Sequence, residues 1–139
     1  MPLFDALTTT GTGMNTYQTW IDAISNNIAN INTVRPTSED AFEATYVVAQ
    51  ANGKGAEGVG TGVHVQKLAS GQAEGRMTYQ PDNPLADSKG YVKLPDIDLS
   101  EQMGDLIMAQ RGVQANAAVV ARAKQSYQAA LDIGKSARS

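Results

Sequence analysis

The sequence predicts a mainly α protein with a small β region, in which N- and C-terminal helices pair as an antiparallel coiled coil around a β-rich middle. Two observations carry this reading. Side chains recur in steps of three and four from Leu3 through Leu7, Thr10, Met14, Tyr17, Ile21, Ile24, Ile28 and Ile31. They do so again from Leu99 through Met103, Leu106, Gln110, Val113, Ala117, Val120, Lys124, Tyr127 and Leu131. The stretch between switches to a period of two. A repeat of about 3.5 residues is the seam along which two helices wind around each other. Placing its halves at opposite ends of the chain brings the termini together and loops the middle out. The expected division is a terminal helical assembly module, residues 1–33 and 99–139, and a small β-rich middle domain, 34–98.

The first helix, residues 3 to about 31, has the right period but weak propensity. Thr8, Thr9, Thr10, Thr12, Thr16 and Thr19 lose side-chain freedom in a helix, and Gly11 and Gly13 each cost about 1 kcal/mol relative to Ala. Such a segment is expected to be disordered when free and helical when docked. Asn26, Asn27, Asn30 and Asn32 crowd its end. Asn30 to Thr33 is expected to stop the helix, while Asn26 and Asn27 flank the seam and are placed to bond with neighbouring chains.

In the middle, Phe42, Ala44, Tyr46 and Val48 alternate with Glu43, Thr45 and Val47, predicting a half-buried strand. Val63 and Val65 alternate with His64 and Gln66 in a second strand; Met77–Tyr79 and Tyr91–Leu94 are shorter candidates. Five glycines in the ten residues from Gly53 predict a mobile loop. Residues 81–84 and 87–90 read as turns. Two or three short strands make a sheet that needs outside support.

Pro95 to Glu101 opens the last helix, with Asp98 or Ser100 as its cap. The helix is expected to run to about Ile133 and stop at Gly134. Its alanines, Ala115, Ala117, Ala118, Ala121, Ala123, Ala129 and Ala130, make it slim enough for close approach.

Composition narrows function. At 139 residues this is one domain by size, or a small core plus a terminal helical module. The net charge of -3 gives no basic field for nucleic acid. The charge is uneven: Asp5 and Asp22 are the charged side chains before Arg35, whereas Arg111, Arg122, Lys124, Lys135 and Arg138 follow Gln102. An acidic front helix and a basic rear helix attract. No run approaches the roughly 18 apolar residues of a membrane span. The first ten residues lack the positive, apolar and small-residue regions of a secretory signal, so export is expected to leave the N-terminus uncleaved. Without cysteine there is no disulfide or thiolate metal site.

No catalytic or metal constellation emerges. His64, the sole histidine, lacks a partner at ligand spacing and reads as a strand surface residue. Ser25, Ser100 and Ser126 lack a nucleophile-elbow context. Asp82 and Asp87 lack the calcium-loop pattern. The glycine-rich loop lacks the Lys-Ser/Thr ending of a phosphate loop. Asp96 and Asp98 are explained by helix capping. Neither cofactor nor metal is expected.

The ends of the chain resemble a known family. Ile24-Ser-Asn-Asn-Ile-Ala-Asn-Ile-Asn-Thr33 is similar to the signature of bacterial flagellar rod and hook proteins, and Ala6 to Met14 resembles its beginning. Arg111-Gly-Val-Gln-Ala-Asn116 resembles the family's C-terminal Arg-x-Tyr-Gln-Ala-Asn motif, with Val113 in place of Tyr. Val34-Arg35-Pro36 replaces the usual Gly-Tyr. The short length, the opening Met1 to Leu7, the stretch Tyr79 to Val92 and Pro95 to Met103 resemble a proximal rod subunit of that family; residues 35–75 contribute little.

The resemblance implies a structural subunit of the flagellar basal-body rod, transmitting torque from motor to hook. It implies partners among other rod proteins, copies of the chain itself, the flagellar type III export apparatus and a rod-base adaptor, with neither nucleic acid nor membrane insertion. The terminal helices would form an inner tube, the middle facing outward, on the periplasmic side of the inner membrane. Subunit packing is expected from Leu3, Leu7, Met14, Tyr17, Ile21, Ile24, Asn26, Asn27, Ile28, Asn30 and Ile31. On the last helix it is expected from Leu99, Met103, Leu106, Val113, Asn116, Ala117, Val120, Tyr127 and Leu131. The alternatives are another axial protein of the family, a subunit of a different helical secretion tube, or a small enzyme, which the missing site residues disfavour.

Overall fold

A computed structural model describes residues 2–55 and 60–136, with side chains from residue 4 onward. Helix α1 spans Pro2–Asn30 and helix α2 spans Leu99–Ser136. Between them lie β1 (Thr45–Ala51), β2 (Val63–Ser70), β3 (Arg76–Tyr79) and β4 (Tyr91–Leu94), arranged as two separate antiparallel hairpins, β1–β2 and β3–β4.

The helices run antiparallel. Phe4 meets Tyr127 edge-to-face at 6.5 Å between ring centroids. Further along α1, Gly13 faces Asn116, Tyr17 faces Gly112, and Asn27 bonds to Gln102. As the number rises on one helix it falls on the other. Helix α1 has 29 residues and α2 has 38, or about 44 Å and 57 Å at 1.5 Å per residue. The surplus lies beyond Tyr127, where residues 128–136 extend past the start of α1. Helix α2 also runs through Gly134 rather than stopping there.

The threonine-rich sequence of α1 is accommodated by back-bonding. The hydroxyls of Thr8, Thr10, Thr16, Thr19 and Ser25 donate to the carbonyl four residues earlier, and that of Thr12 to Thr9. The helix ends where expected. Asn30 Nδ2 donates to the Asn26 carbonyl at 2.9 Å, Asn30 Oδ1 accepts from Thr33 Oγ1, and Thr33 N–H donates to the Asn30 carbonyl. At the start of α2 the cap is Asp98, whose Oδ1 accepts from the backbone N–H of Ser100 (2.7 Å) and Glu101 (3.2 Å).

The β1–β2 hairpin lies along α1. Thr45, at its start, is held by Asn27, and Val63 N–H donates to Thr12 Oγ1 at 3.1 Å. Fifteen helical residues span about 22 Å, close to the length of the seven-residue β1, so strand and helix match end to end. The strand begins at Thr45 rather than near Phe42, and its Val47 and Ala49 line the groove toward α1. Clamping Thr45 to Asn27 fixes the facing, alternation along β1 keeps Val47 and Ala49 on that side while the extra residue of the register shift, Gln66, is taken up by β2, and the Tyr46 ring lies against Gly71. Beyond Ala51 the hairpin continues through an Asn52 N–H bond to the Gly62 carbonyl and a Lys54–Gly60 bridge. Residues 56–59 of the expected mobile loop lie outside the described residues.

The β3–β4 hairpin packs on the irregular segment 33–44. Arg35 and Lys93 exchange both backbone hydrogen bonds at 2.9 Å, Ala41 N–H donates to the Ala73 carbonyl, and Lys93 Nζ donates to the Glu39 carbonyl at 2.7 Å. Buried apolar residues concentrate where the chain leaves α1 and enters α2: Ala23, Ile24, Ala41, Ala44, Val92, Leu94, Pro95 and Ile97.

Asp87 organises the 87–90 turn. Its carboxylate accepts the backbone N–H of Tyr91 and Lys89, each at 2.9 Å, and faces Thr37 Oγ1 at 3.4 Å. The Tyr91 N–H bond is the largest cause holding its pKa below the usual carboxylate value. A depressed carboxylate stabilises the fold above its unfolded pKa, and that contribution is lost as pH falls through the folded value. Asp87→Ala is therefore expected to lower the melting temperature at about pH 7 and to have a much smaller effect at about pH 2, measured by thermal denaturation.

Gly75 has φ +59°, and a Cβ there would collide with the Leu94 carbonyl and with Ala41. By contrast, a Cβ at helical Gly104 meets nothing within 4 Å among the described residues. Gly75→Ala is expected to destabilise by about 2 kcal/mol or more, and Gly104→Ala to stabilise by about 0.5–1 kcal/mol, both read from urea unfolding midpoints.

Candidate assembly interface

Asn27 is 1% exposed and Gln102 2% exposed, yet neither is an error of burial. Asn27 Oδ1 accepts from Thr45 N–H at 2.8 Å, and its Nδ2 donates to the Thr45 carbonyl at 2.9 Å and to Gln102 Oε1 at 3.0 Å. The side-chain amide thus imitates the peptide group of a neighbouring strand, while its second hydrogen reaches across to α2. Every buried side-chain polar atom among the described residues has a partner. The sequence placed Asn27 toward neighbouring chains; its hydrogen bonds lie within its own chain. Asn26 is exposed and accepts from Asn30 Nδ2 at 3.2 Å.

The face of α2 toward α1 differs from the stripe counted from Leu99. Leu106, Val113 and Val120 lie on it, half-buried, as expected, but the intervening positions are Gln102, Ala109, Asn116 and Ala123. Met103, Gln110, Ala117 and Lys124 are exposed. Three fixed positions seven apart leave the step between them open, three-then-four or four-then-three. Close packing selects the smaller residues. A Cβ at Gly112 would come within 2.5–2.7 Å of the Tyr17 ring, and one at Gly13 within 3.3 Å of the Asn116 amide. Bulk at Met103 has no such slot. On α1, Ile24 and Thr10 are buried, and Leu7, Met14, Tyr17, Ile21, Ile28 and Ile31 are half-buried; the side chain of Leu3 lies outside the described residues. Asp22, expected to attract the basic last helix, accepts instead from Gln18 Nε2 of its own helix at 3.3 Å.

Many large apolar side chains remain uncovered. Leu99, Met103 (52% exposed), Ile107 (49%), Met108, Val119, Tyr127, Leu131 and Ile133 (70%) project from α2. Met77, Tyr79, Leu85 and Tyr91 do so around the second hairpin. Exposure on this scale in a small chain marks contact surfaces. A half-open groove of about 300 Å³ separates α1 from the first hairpin, lined by Gly13, Thr16, Tyr17, Trp20, Val47, Ala49 and Val63. Among the described residues no three His, Asp or Glu side chains converge on a possible metal position, and no helix is long and apolar enough to cross a membrane.

Two family profiles match the chain: "Flagella basal body rod protein" over residues 7–37 and "Flagellar basal body rod FlgEFG protein C-terminal" over 88–133. With the paired terminal helices and their uncovered apolar faces, they define the class as a flagellar axial protein. Curated relatives named flagellar basal-body rod protein FlgC align along nearly the whole chain. That of Borreliella burgdorferi is 32% identical over 149 residues, covering 96% of this chain and 98% of the relative. That of Escherichia coli O6:H1 is 32% identical over 136 residues (97% and 100%), and that of Bacillus subtilis 27% over 150 residues (97% and 100%). The chain belongs to the FlgC family of flagellar basal-body rod proteins.

Replacing Asn27 with Ala strands the Thr45 N–H and carbonyl and the Gln102 side chain. Asn27→Ala is expected to cost about 2–4 kcal/mol in urea denaturation, with Asn26→Ala within about 0.5 kcal/mol of wild type.

Proposed function

We propose that the chain works by packing, without catalysis, as a structural subunit of the proximal part of the flagellar basal-body rod. The observation that carries this reading is the set of large apolar side chains left open on α2 while its opposite face is closed by α1. A chain that keeps Met103, Ile107 and Met108 in water has a partner in prospect.

In this reading residues 1–33 and 99–139 form the assembly module, and residues 34–98 form the outward middle domain. The packing positions are the stripe residues of the two helices, from Leu7 to Ile31 and from Leu99 to Leu131, with the bulky exposed side chains of α2 contacting neighbouring subunits. The neighbours are other rod proteins and copies of this chain, with a rod-base adaptor beneath. The subunit reaches the periplasmic side of the inner membrane through the type III export apparatus with its N-terminus uncleaved. The poor intrinsic propensity of the Thr/Gly-rich α1 supports export in an unfolded form, because such a helix is easily melted before packing stabilises it.

Ile24 is a poor place to test assembly, since it is buried inside the chain itself. Ile107 is exposed, so Ile107→Asp is expected to leave the melting temperature of the purified chain within a few degrees of wild type. Cells carrying only this variant should be non-motile, with no rod visible in isolated basal bodies. A folded Ile107→Asp chain that supports normal rods and motility would overturn the assignment of this face to subunit packing.

A further inference from the structure

Beyond its place in an assembly, we propose that Asn52 is a self-modification site. It deamidates through a succinimide, and the reaction is promoted by His64. Three observations converge on this position. Asn52 is the one asparagine of the chain followed by glycine. Its successor is unobstructed: a Cβ built on Gly53 meets nothing within 4 Å. Finally, Asn52 Oδ1 lies 2.6 Å from His64 Nδ1 across the hairpin.

The hydrogen bonds define the orientation. Asn52 Nδ2 donates to the Thr61 carbonyl at 3.3 Å, which turns Oδ1 toward the histidine. An amide oxygen only accepts, so His64 Nδ1 carries the proton and donates it. When a nucleophile adds to Asn52 Cγ, negative charge develops on Oδ1. A donor already in place there is the arrangement that stabilises a tetrahedral intermediate.

The nucleophile is the Gly53 backbone nitrogen, which gives its proton to water as it bonds to Asn52 Cγ. The intermediate collapses when Nδ2 takes up a proton, the Cγ–Nδ2 bond breaks and ammonia leaves, closing a five-membered succinimide. Water then adds to one of the two ring carbonyls and opens it to aspartate or isoaspartate. The sum is one water consumed and one ammonia released, with no redox change.

The surroundings make the product consequential. Asn52 N–H is paired with the Gly62 carbonyl at 2.8 Å, and the Gly53 carbonyl accepts from Thr61 Oγ1 at 2.7 Å. An isoaspartyl link inserts an extra methylene into the main chain between these two tethers, and both products place a carboxylate beside His64. The other asparagines lack this combination: Asn27 is buried and fully bonded, and Asn83 precedes proline.

The test uses the full chain, incubated in neutral buffer and sampled by peptide-mapping mass spectrometry with isoaspartyl methyltransferase labelling. Wild type should acquire acid at position 52 ahead of every other asparagine. His64 is exposed, so His64→Ala and His64→Gln should keep the wild-type circular dichroism and melting temperature while modifying Asn52 at least about tenfold more slowly. Gly53→Ala should slow the reaction further by obstructing ring closure. Equal or faster modification in folded His64→Ala would show that the histidine restrains Asn52 rather than activates it, and would overturn the proposal. An unmodified Asn52 in wild type, or Gly53→Ala reacting like wild type, would overturn it equally.

Discussion

One buried amide ties the molecule together. The carboxamide of Asn27 closes the open edge of β1 at Thr45 and bridges to Gln102 of α2, so helix, strand and helix meet at a point where each would otherwise present an unpaired group. Neither two-stranded hairpin is stable alone in water. Fastening β1 to α1 gives the first hairpin a floor, and the Thr12–Val63 bond pins its other end. The same side chain fixes the rotational setting of α2 through Gln102, which is why the helices meet on small residues.

That setting decides which side chains are left for others. With Gly13, Gly112, Ala109 and Ala123 in the closed face, the helices approach closely, and Met103, Ile107 and Met108 of α2 turn outward. Turning alanine inward and methionine outward is a poor arrangement for an isolated hairpin, because apolar area stays wet. It suits a subunit whose second face is covered on assembly. The overhang of α2 follows the same logic, since it is nine residues longer than α1 and continues past the Phe4–Tyr127 contact.

Stability in the chain is correspondingly local. Most buried apolar residues gather at the junction of α1, the irregular segment and the entrance to α2, while the far end of the helical pair rests on Phe4 against Tyr127 and on buried Thr10 and Ala123. A chain anchored at the junction and loosely held at its termini fits the proposed passage through an export channel, because the segments that must be threaded are those with the least burial.

Much of this was legible in the residues themselves. Period located both helices and the first two strands, because 3.6- and 2-residue repeats leave different marks on a sequence, while the four-residue β3 and β4 are too short to carry more than a hint of it. The asparagine run announced the end of α1, and the pair Asp98 and Ser100 announced the start of α2, since caps act through backbone groups a few residues away; the structure chose Asp98. The choice between Met103 and Gln102, or Gln110 and Ala109, was not legible, because local periodicity permits either step and only the facing helix discriminates by fit. Nor was the inward turn of Asn27, whose partners Thr45 and Gln102 stand far away in sequence. The sequence by itself determined the two helices, the end of α1 and the start of α2, which are set by neighbours along the chain. Only the tertiary structure decided which face of each helix closes inward and which stays open, because that depends on the space left by residues distant in sequence.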